Sequence, residues 1–396
     1  MNRQARRSLL ILNMVVALAL LCGSGSAFAA PTYCNDRDGL TQVVNERKAW
    51  TEKLTARKFA ELENFFGGLQ RAYEAGVKTD AEVAAWFAAF NQPGSRLTPH
   101  LEEWVAKYPD SYAAKLALAR HLFALAWENR GDKLAARTSG TQFAAMQREL
   151  ERMIDVLNKA DQQTRKPIVS YVLRVDLAKT LVGPKAVLEE FEKAERIDPL
   201  NSVVKTAFIY ASAPKWGGDS EALERFLRTV AGSSLPADLK TFVEYQHEMM
   251  EGDAAWVAGK REVAIATFER AARLCTAYVA PYEELLRLYK DADNAQGVIS
   301  AAEGYLSFFP NSGWAYAKLG SAQARMKRDA DSFRSYERAA QLGDRTGAEG
   351  LAWHYARGEA VKRDPAKALE LYTQVYDRGG THVKVQIDRL RQELGK

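Results

Sequence analysis

Ser202-Val-Val-Lys205 sets a hydroxyl and an amine about one helical turn apart, the spacing in which a lysine can serve as base for a nucleophilic serine. No Ser-Asp-Asn element accompanies it. After Asp198-Pro199 the same serine reads more simply as the N-cap of a helix. Asp291-Ala-Asp293 begins like a calcium loop, but glycine is missing at the sixth position and Ala302 stands at the twelfth, where a bidentate glutamate belongs. The five histidines (His100, His121, His247, His354, His382) share no ligand spacing, and each reads as a structural or surface residue. There is no His-Glu-x-x-His, no paired Cys-x-x-Cys, no glycine-rich phosphate loop and no Gly-x-Ser-x-Gly elbow. No catalytic, cofactor-binding or metal-ligating residue is assigned, and the chain is expected not to be an enzyme. Binding is the chemistry left to it.

The elements that would position binding residues are helices. Of 396 residues, 47% are hydrophobic and 27% charged, an ordinary globular composition that excludes bulk disorder. Alanine is abundant and runs of valine, isoleucine and threonine are scarce, so sheet should not dominate. The formal charge is +5, of which Arg3, Arg6 and Arg7 supply three, leaving +2 for the rest. A chain so near neutrality has no electrostatic footprint for nucleic acid.

The second half carries a period of 34 residues. Ala264, Phe268 and Ala271 return as Val298, Ala302 and Tyr305, and again as Ser332, Tyr336 and Ala339. Tyr282, Leu285, Leu286 and Tyr289 likewise match Tyr316, Leu319, Gly320 and Gln323, and Pro310 closes the middle unit. Small, aromatic and small residues at helical spacing let a neighbouring helix approach while the ring fills the gap. This pattern resembles the tetratricopeptide repeat, a helix–turn–helix unit. Next, Ala348, Leu351, Ala352, Tyr355, Gly358, Val361, Asp364, Lys367, Ala368, Leu371, Tyr372 and Gly379 follow the spacing of a SEL-like repeat, a close relative with a longer turn. Phe268, Tyr336 and Tyr372 are expected to be buried between helices.

The first half reads as less regular helix. One or two long helices cover 41–75 with a break at Gly67-Gly68, and others cover 79–90, 97–108, 111–129, 139–158 and 165–181. Phe191, Ala194 and Pro199 reproduce the end of a repeat. Tyr108-Pro-Asp-Ser-Tyr112 and the turn at Trp216-Gly-Gly218 resemble a bacterial family of uncharacterised helical proteins over about residues 55–235. Trp216 could serve a partner or pack under its glycine turn. The resemblances imply an all-α chain, a right-handed α-solenoid of antiparallel helix pairs. The expected division is a signal peptide (1–29), an irregular helical domain (30–236), tetratricopeptide-like repeats (237–346), and a SEL-like repeat with a capping helix (347–396).

The signal peptide is read from Arg3, Arg6 and Arg7, the apolar run Ser8 to Leu21, and Ala27-Phe28-Ala29, a small-x-small cleavage site. Cleavage after Ala29 or Ala30 would release the chain into the periplasm. Lipid attachment at Cys22 is disfavoured because Ala19 and Leu21 stand where a lipobox needs leucine and a small residue. The apolar run is short for a span of about 20 residues, and no integral membrane span is expected. Cys34 and Cys275 remain after cleavage. An oxidising compartment permits a bridge, but spacing does not establish one, and Cys275 also reads as a buried free thiol.

In a stack of such repeats, the first helix of each pair lines the concave face. The register then names Met249, Trp256, Glu283, Arg287, Lys290, Trp314 and Arg325 as candidate partner-binding residues, with Gln246, Asp253 and Ser321 among them. Tryptophan and arginine are enriched among interface anchors. The function expected is an exported, non-enzymatic interaction scaffold whose partner is a protein or peptide of the cell envelope or a secreted effector. An alternative is a periplasmic immunity protein that neutralises a delivered effector such as a lipase, because exported SEL-like proteins include such inhibitors. A second is an envelope enzyme assembled from scattered residues. No cofactor is expected.

Overall fold

The computed structural model describes residues 33–34, 38–131 and 137–395, and among them there is no strand. The proposed signal peptide and Cys22 lie outside the described residues. The chain divides into two compact units. Unit 1 runs to Val257 and adds Arg273–Tyr278, and unit 2 comprises Ala258–Ala272 and Val279 onward.

Unit 1 begins with α1 (Asp38–Thr55), α2 (Phe59–Leu62) and α3 (Gly68–Glu74). The break expected at Gly67-Gly68 is instead a π turn, Glu63–Gly67, within one continuous rod. Its first residue accepts hydrogen bonds from the Ser111 hydroxyl at 2.7 Å and the Trp104 indole at 3.3 Å. An inserted residue re-aims a side chain this way without ending the helix.

α4 (Asp80–Phe87) starts at a capping box in which Thr79 and Glu82 satisfy each other's backbone N–H groups. α5 (Thr98–Lys107) follows, then α6 (Tyr112–Arg130), capped by the Ser111 hydroxyl. Every residue of α6 from Tyr112 to Ala126 is buried, as expected of a helix enclosed by others. Phe66, Phe87, Phe90 and Trp104 form an aromatic centre with ring separations of 4.9–6.4 Å.

α7 (Gly140–Ala160), α8 (Ile168–Leu181), α9 (Pro184–Ile197), α10 (Val203–Ala211), α11 (Ser220–Gly232) and α12 (Ala237–Val257) complete the long helices of this unit. Cys34 and Cys275 are joined by a disulfide with a Cα–Cα separation of 4.5 Å. The free-thiol reading of Cys275 is therefore corrected. Sequence spacing could not show the approach, because the partners are 241 residues apart. The Tyr278 hydroxyl donates to the Tyr33 carbonyl at 2.9 Å and Ala277 N–H to that of Cys34 at 3.1 Å, fixing the segment beside the bridge.

Unit 2 shows the repeat directly. α13 (Arg261–Leu274) precedes α14 (Ala280–Asp291), α15 (Ala295–Leu306), α16 (Gly313–Arg325), α17 (Asp329–Gln341), α18 (Arg345–Arg357), α19 (Pro365–Asp377) and α20 (Lys384–Glu393). From α14 onward each helix packs on the next, and α16 also packs on α18. Contact between successive and alternate helices is the signature of stacked antiparallel pairs. Asn294, Ser312, Asp344 and Asp364 cap four of these helices with side-chain acceptors. Phe268, Tyr336 and Tyr372 are all buried, as the small–aromatic–small pattern requires.

Candidate functional site

The serine–lysine pair serves structure. Ser202 does not cap α10 with its own side chain; its hydroxyl donates to Asp80 Oδ1 at 2.9 Å. The cap comes from Asp80 Oδ2, which accepts the N–H groups of Ser202 at 2.6 Å and Val203 at 2.8 Å. Ser202 sits in the helical region of φ/ψ, so its side chain cannot reach forward as an N-cap does. Lys205 is turned away, bonded to Glu195 and to the Pro199 carbonyl. His121 and His354 are likewise structural: both are fully buried, bonded to Thr98 and Ser332 respectively and each to a backbone carbonyl. Trp216 is half-buried beside Trp127, with the Lys179 ammonium 4.7 Å above its ring.

Of the residues picked from the register, Met249 and Trp256 lie in unit 1 and the other five in unit 2. Met249 is buried and Trp256 half-buried. On α14, Glu283 and Lys290 are exposed, while Arg287 pairs with Glu284 on its own helix. On α16, Trp314 is 44% exposed. Its ring meets Tyr305 edge-on at 5.4 Å and lies under the Lys318 ammonium at 5.9 Å. Arg325, at the other end of α16, pairs with Asp293 in the turn after α14, which ties one repeat to the next.

Helical spacing puts Trp314, Lys318, Ser321 and Arg325 on one stripe of α16. The lower part of this stripe opens into a cavity of about 350 Å³ between α16 and α18. Ser321 and Arg325 form one wall, Glu349 and Trp353 the other, and the buried Tyr336 and Tyr372 reach it from α17 and α19. Burial, reinforced by the Glu349 charge, pushes the Tyr372 phenol up to about 12. Burial raises Tyr336 as well, against a hydrogen bond with Ser321. Both phenols stay protonated at neutral pH and can donate. At the rim, Glu349 meets the His382 ring at 2.9 Å, and the Arg357 guanidinium covers Trp353 at 4.9 Å.

Trp353, Glu349 and His382 were not singled out from sequence, although a signal existed. Thr346, Glu349, Gly350 and Trp353 continue the first-helix spacing into the SEL-like unit, one repeat beyond Arg325. A second hollow of about 440 Å³ lies in unit 1 between α9 and α11, walled by Leu188, Phe191, Phe226 and Val230. Glu192, Glu195, Arg225 and Thr229 also line it, and none of the residues picked from the register does.

Among the described residues, no three His, Cys, Asp or Glu side chains are grouped to hold a metal ion, and no helix is long and apolar enough to cross a membrane. Residues 47–203 match a family described as a domain of unknown function, DUF4034. No curated protein matches the chain. Similar solved structures include a Sel1 repeat protein from Oxalobacter formigenes, at 17% identity and TM-score 0.33, covering 94% of this chain and 98% of that one. Yeast Tom70 aligns at 10% identity and TM-score 0.30, covering 90% and 89%. A monomeric IFIT1 mutant with Gppp-AAAA aligns at 11% identity and TM-score 0.29, covering 99% and 85%. The stacked pairs of unit 2 make the chain an all-α helical-repeat protein, the architecture that offers extended surfaces to partners.

Proposed function

We propose that the chain is a non-enzymatic interaction scaffold that holds a protein or peptide segment along the first helices of unit 2. The cavity between α16 and α18 carries this reading. It combines an indole, two protonated phenols, a carboxylate and a guanidinium within about 350 Å³, continuous with the stripe that bears the exposed Trp314. An apolar side chain of the ligand fits against Trp353, while its backbone carbonyls meet the tyrosine hydroxyls. Binding sites of this kind are mostly apolar with a few placed polar groups.

Export is part of the same proposal. It is supported by the charged, apolar and Ala27-Phe28-Ala29 segments of the N-terminus, and by the Cys34–Cys275 disulfide, which persists in an oxidising compartment. The partner is accordingly an envelope protein or a delivered effector.

The test places a photo-crosslinking residue at position 314 or 353 in intact cells, with position 334 on the second helix of a pair as control. One discrete partner should be captured from 314 and 353 and not from 334. Trp314→Ala should then lose that partner by roughly thirtyfold, the value of about 2 kcal/mol of hot-spot energy, at an unchanged melting temperature. Equal capture from all three positions, or a sharp drop in melting temperature with Trp314→Ala, contradicts the proposal.

A further inference from the structure

Arg120 sits midway along α6 and is 2% exposed. A buried guanidinium ordinarily faces a carboxylate, because an unpaired charge away from water is costly. Here its Nη1 donates only to the Asn91 side-chain oxygen, at 3.4 Å, and its Nε–H meets no acceptor. The Asn91 amide nitrogen also lacks an acceptor, as does the Nε–H of Arg47 on α1. α1 packs against the turn Ala88–Phe90 that leads into Asn91. The nearby acids pair elsewhere: Asp176 binds Lys179 at 2.5 Å, and Asp161 binds Arg174 at 2.7 Å through Oδ2, its Oδ1 having no hydrogen-bond partner. Burial pulls Arg120 down to about 10, and the like charge of Arg47 adds to the fall, against the opposing influence of Tyr112 and Asp176.

Two cations and three unmet donors therefore share one region of unit 1, and among the described residues no carboxylate forms an ion pair with either arginine there, Asp176 acting on Arg120 only through its charge. Helix packing does not explain this. A well-packed core would have been served as well or better by an apolar residue at position 120. One negatively charged acceptor resolves the repulsion and the missing hydrogen bonds together. We propose that Arg47, Asn91 and Arg120 form a binding site for a small oxyanion, a carboxylate or a phosphate. Such groups present two oxygens on one edge, the shape a guanidinium fork recognises. Arg47 is only half-buried and supplies the side of the site nearest solvent, while Arg120 forms its inner end.

The experiment titrates the purified full chain with inorganic phosphate and, separately, with acetate, reading heat by calorimetry and the melting temperature. Sodium chloride at matched ionic strength is the reference. At least one of the two anions should bind and raise the melting temperature beyond chloride, and which one does so tells phosphate from carboxylate. Arg47→Gln, a half-exposed change that leaves the core intact, should weaken that binding about tenfold or more, the worth of one charge-assisted hydrogen bond. Arg120→Met should abolish it while melting at or above the parent chain in chloride alone. Should Arg120→Met fail to fold, Arg47→Gln carries the test by itself. Absence of binding by either anion overturns the proposal, and so does unchanged affinity in Arg47→Gln.

Discussion

Asp80 supplies the cap that Ser202 cannot: its carboxylate accepts both the backbone N–H and the hydroxyl of Ser202 and the N–H of Val203 as well. One side chain from α4 thus fixes the first turn of α10, a helix whose residues are buried throughout. Asp80→Ala leaves these donors unmet in the core and should cost about 3 kcal/mol, whereas Ser202→Ala, which loses a single hydroxyl bond, should cost about 1 kcal/mol. Urea denaturation of both variants checks the ratio. Equal costs would move the cap from the carboxylate to the serine.

A pH dependence follows from His121. Its Nδ1 faces the Gln92 carbonyl and must carry the proton, which leaves Nε2 to accept from the Thr98 hydroxyl. The buried ring is held neutral, and burial lowers its pKa from the usual value. A histidine depressed in the folded state binds its proton more readily when unfolded. The stability it contributes is present above the unfolded value, near 6.5, and is lost as pH falls through the folded one. Melting temperatures measured from neutral to mildly acidic pH should fall, and His121→Gln should flatten that slope. Parallel slopes in parent and variant would remove His121 as the cause.

The Cys34–Cys275 bridge closes a loop of 241 residues around most of unit 1. Cross-links of this kind typically contribute about 2–4 kcal/mol. The folded protein should show no reactive thiol from either cysteine, and Cys275→Ser should lower the unfolding free energy obtained from urea denaturation by that amount. A parent chain that titrates with two free thiols would disprove the bridge.

The Tyr336 ring lies between two glycines of neighbouring first helices. A Cβ added at Gly350 would meet the ring at 2.4 Å, and one at Gly320 would meet it at 3.0 Å. Gly350→Ala should therefore cost about 1–3 kcal/mol by overpacking. Combined with Tyr336→Leu, which vacates the space, it should cost less than the sum of the two single changes. Additive costs would show that the ring and the glycine do not meet.

How far the sequence could be read follows from these same residues. The positions of Phe268, Tyr336 and Tyr372 were legible because a helix face repeats locally and burial follows from that repeat. The π turn at Glu63 was not, because the partners of Glu63, Trp104 and Ser111, lie 41 and 48 residues away. Asp80 and Ser202 are 122 residues apart, and no local pattern links them. The period placed Trp314 and Arg325 on one first-helix face, and they share that stripe of α16. Trp353 and Glu349 were missed because the SEL-like spacing marks only the packed face of that helix, at Ala348, Leu351 and Ala352, and they stand beside it. Arg120 carries no local signal, because what sets it apart is that among the described residues no carboxylate forms an ion pair with it.

The disulfide also has a mechanical meaning. Tension applied between the two ends of the chain enters at Cys34 and crosses the sulfur–sulfur bond to Cys275. The helices from α1 to α13 then hang from the load path as a slack loop and bear none of the pull. Among the described helices, only those beyond Cys275 lie in series with the force, so of these helices they are the ones that lengthen. A partner tugging on the repeats can stretch or loosen them while the region that houses Arg120 and Asp80 keeps its shape.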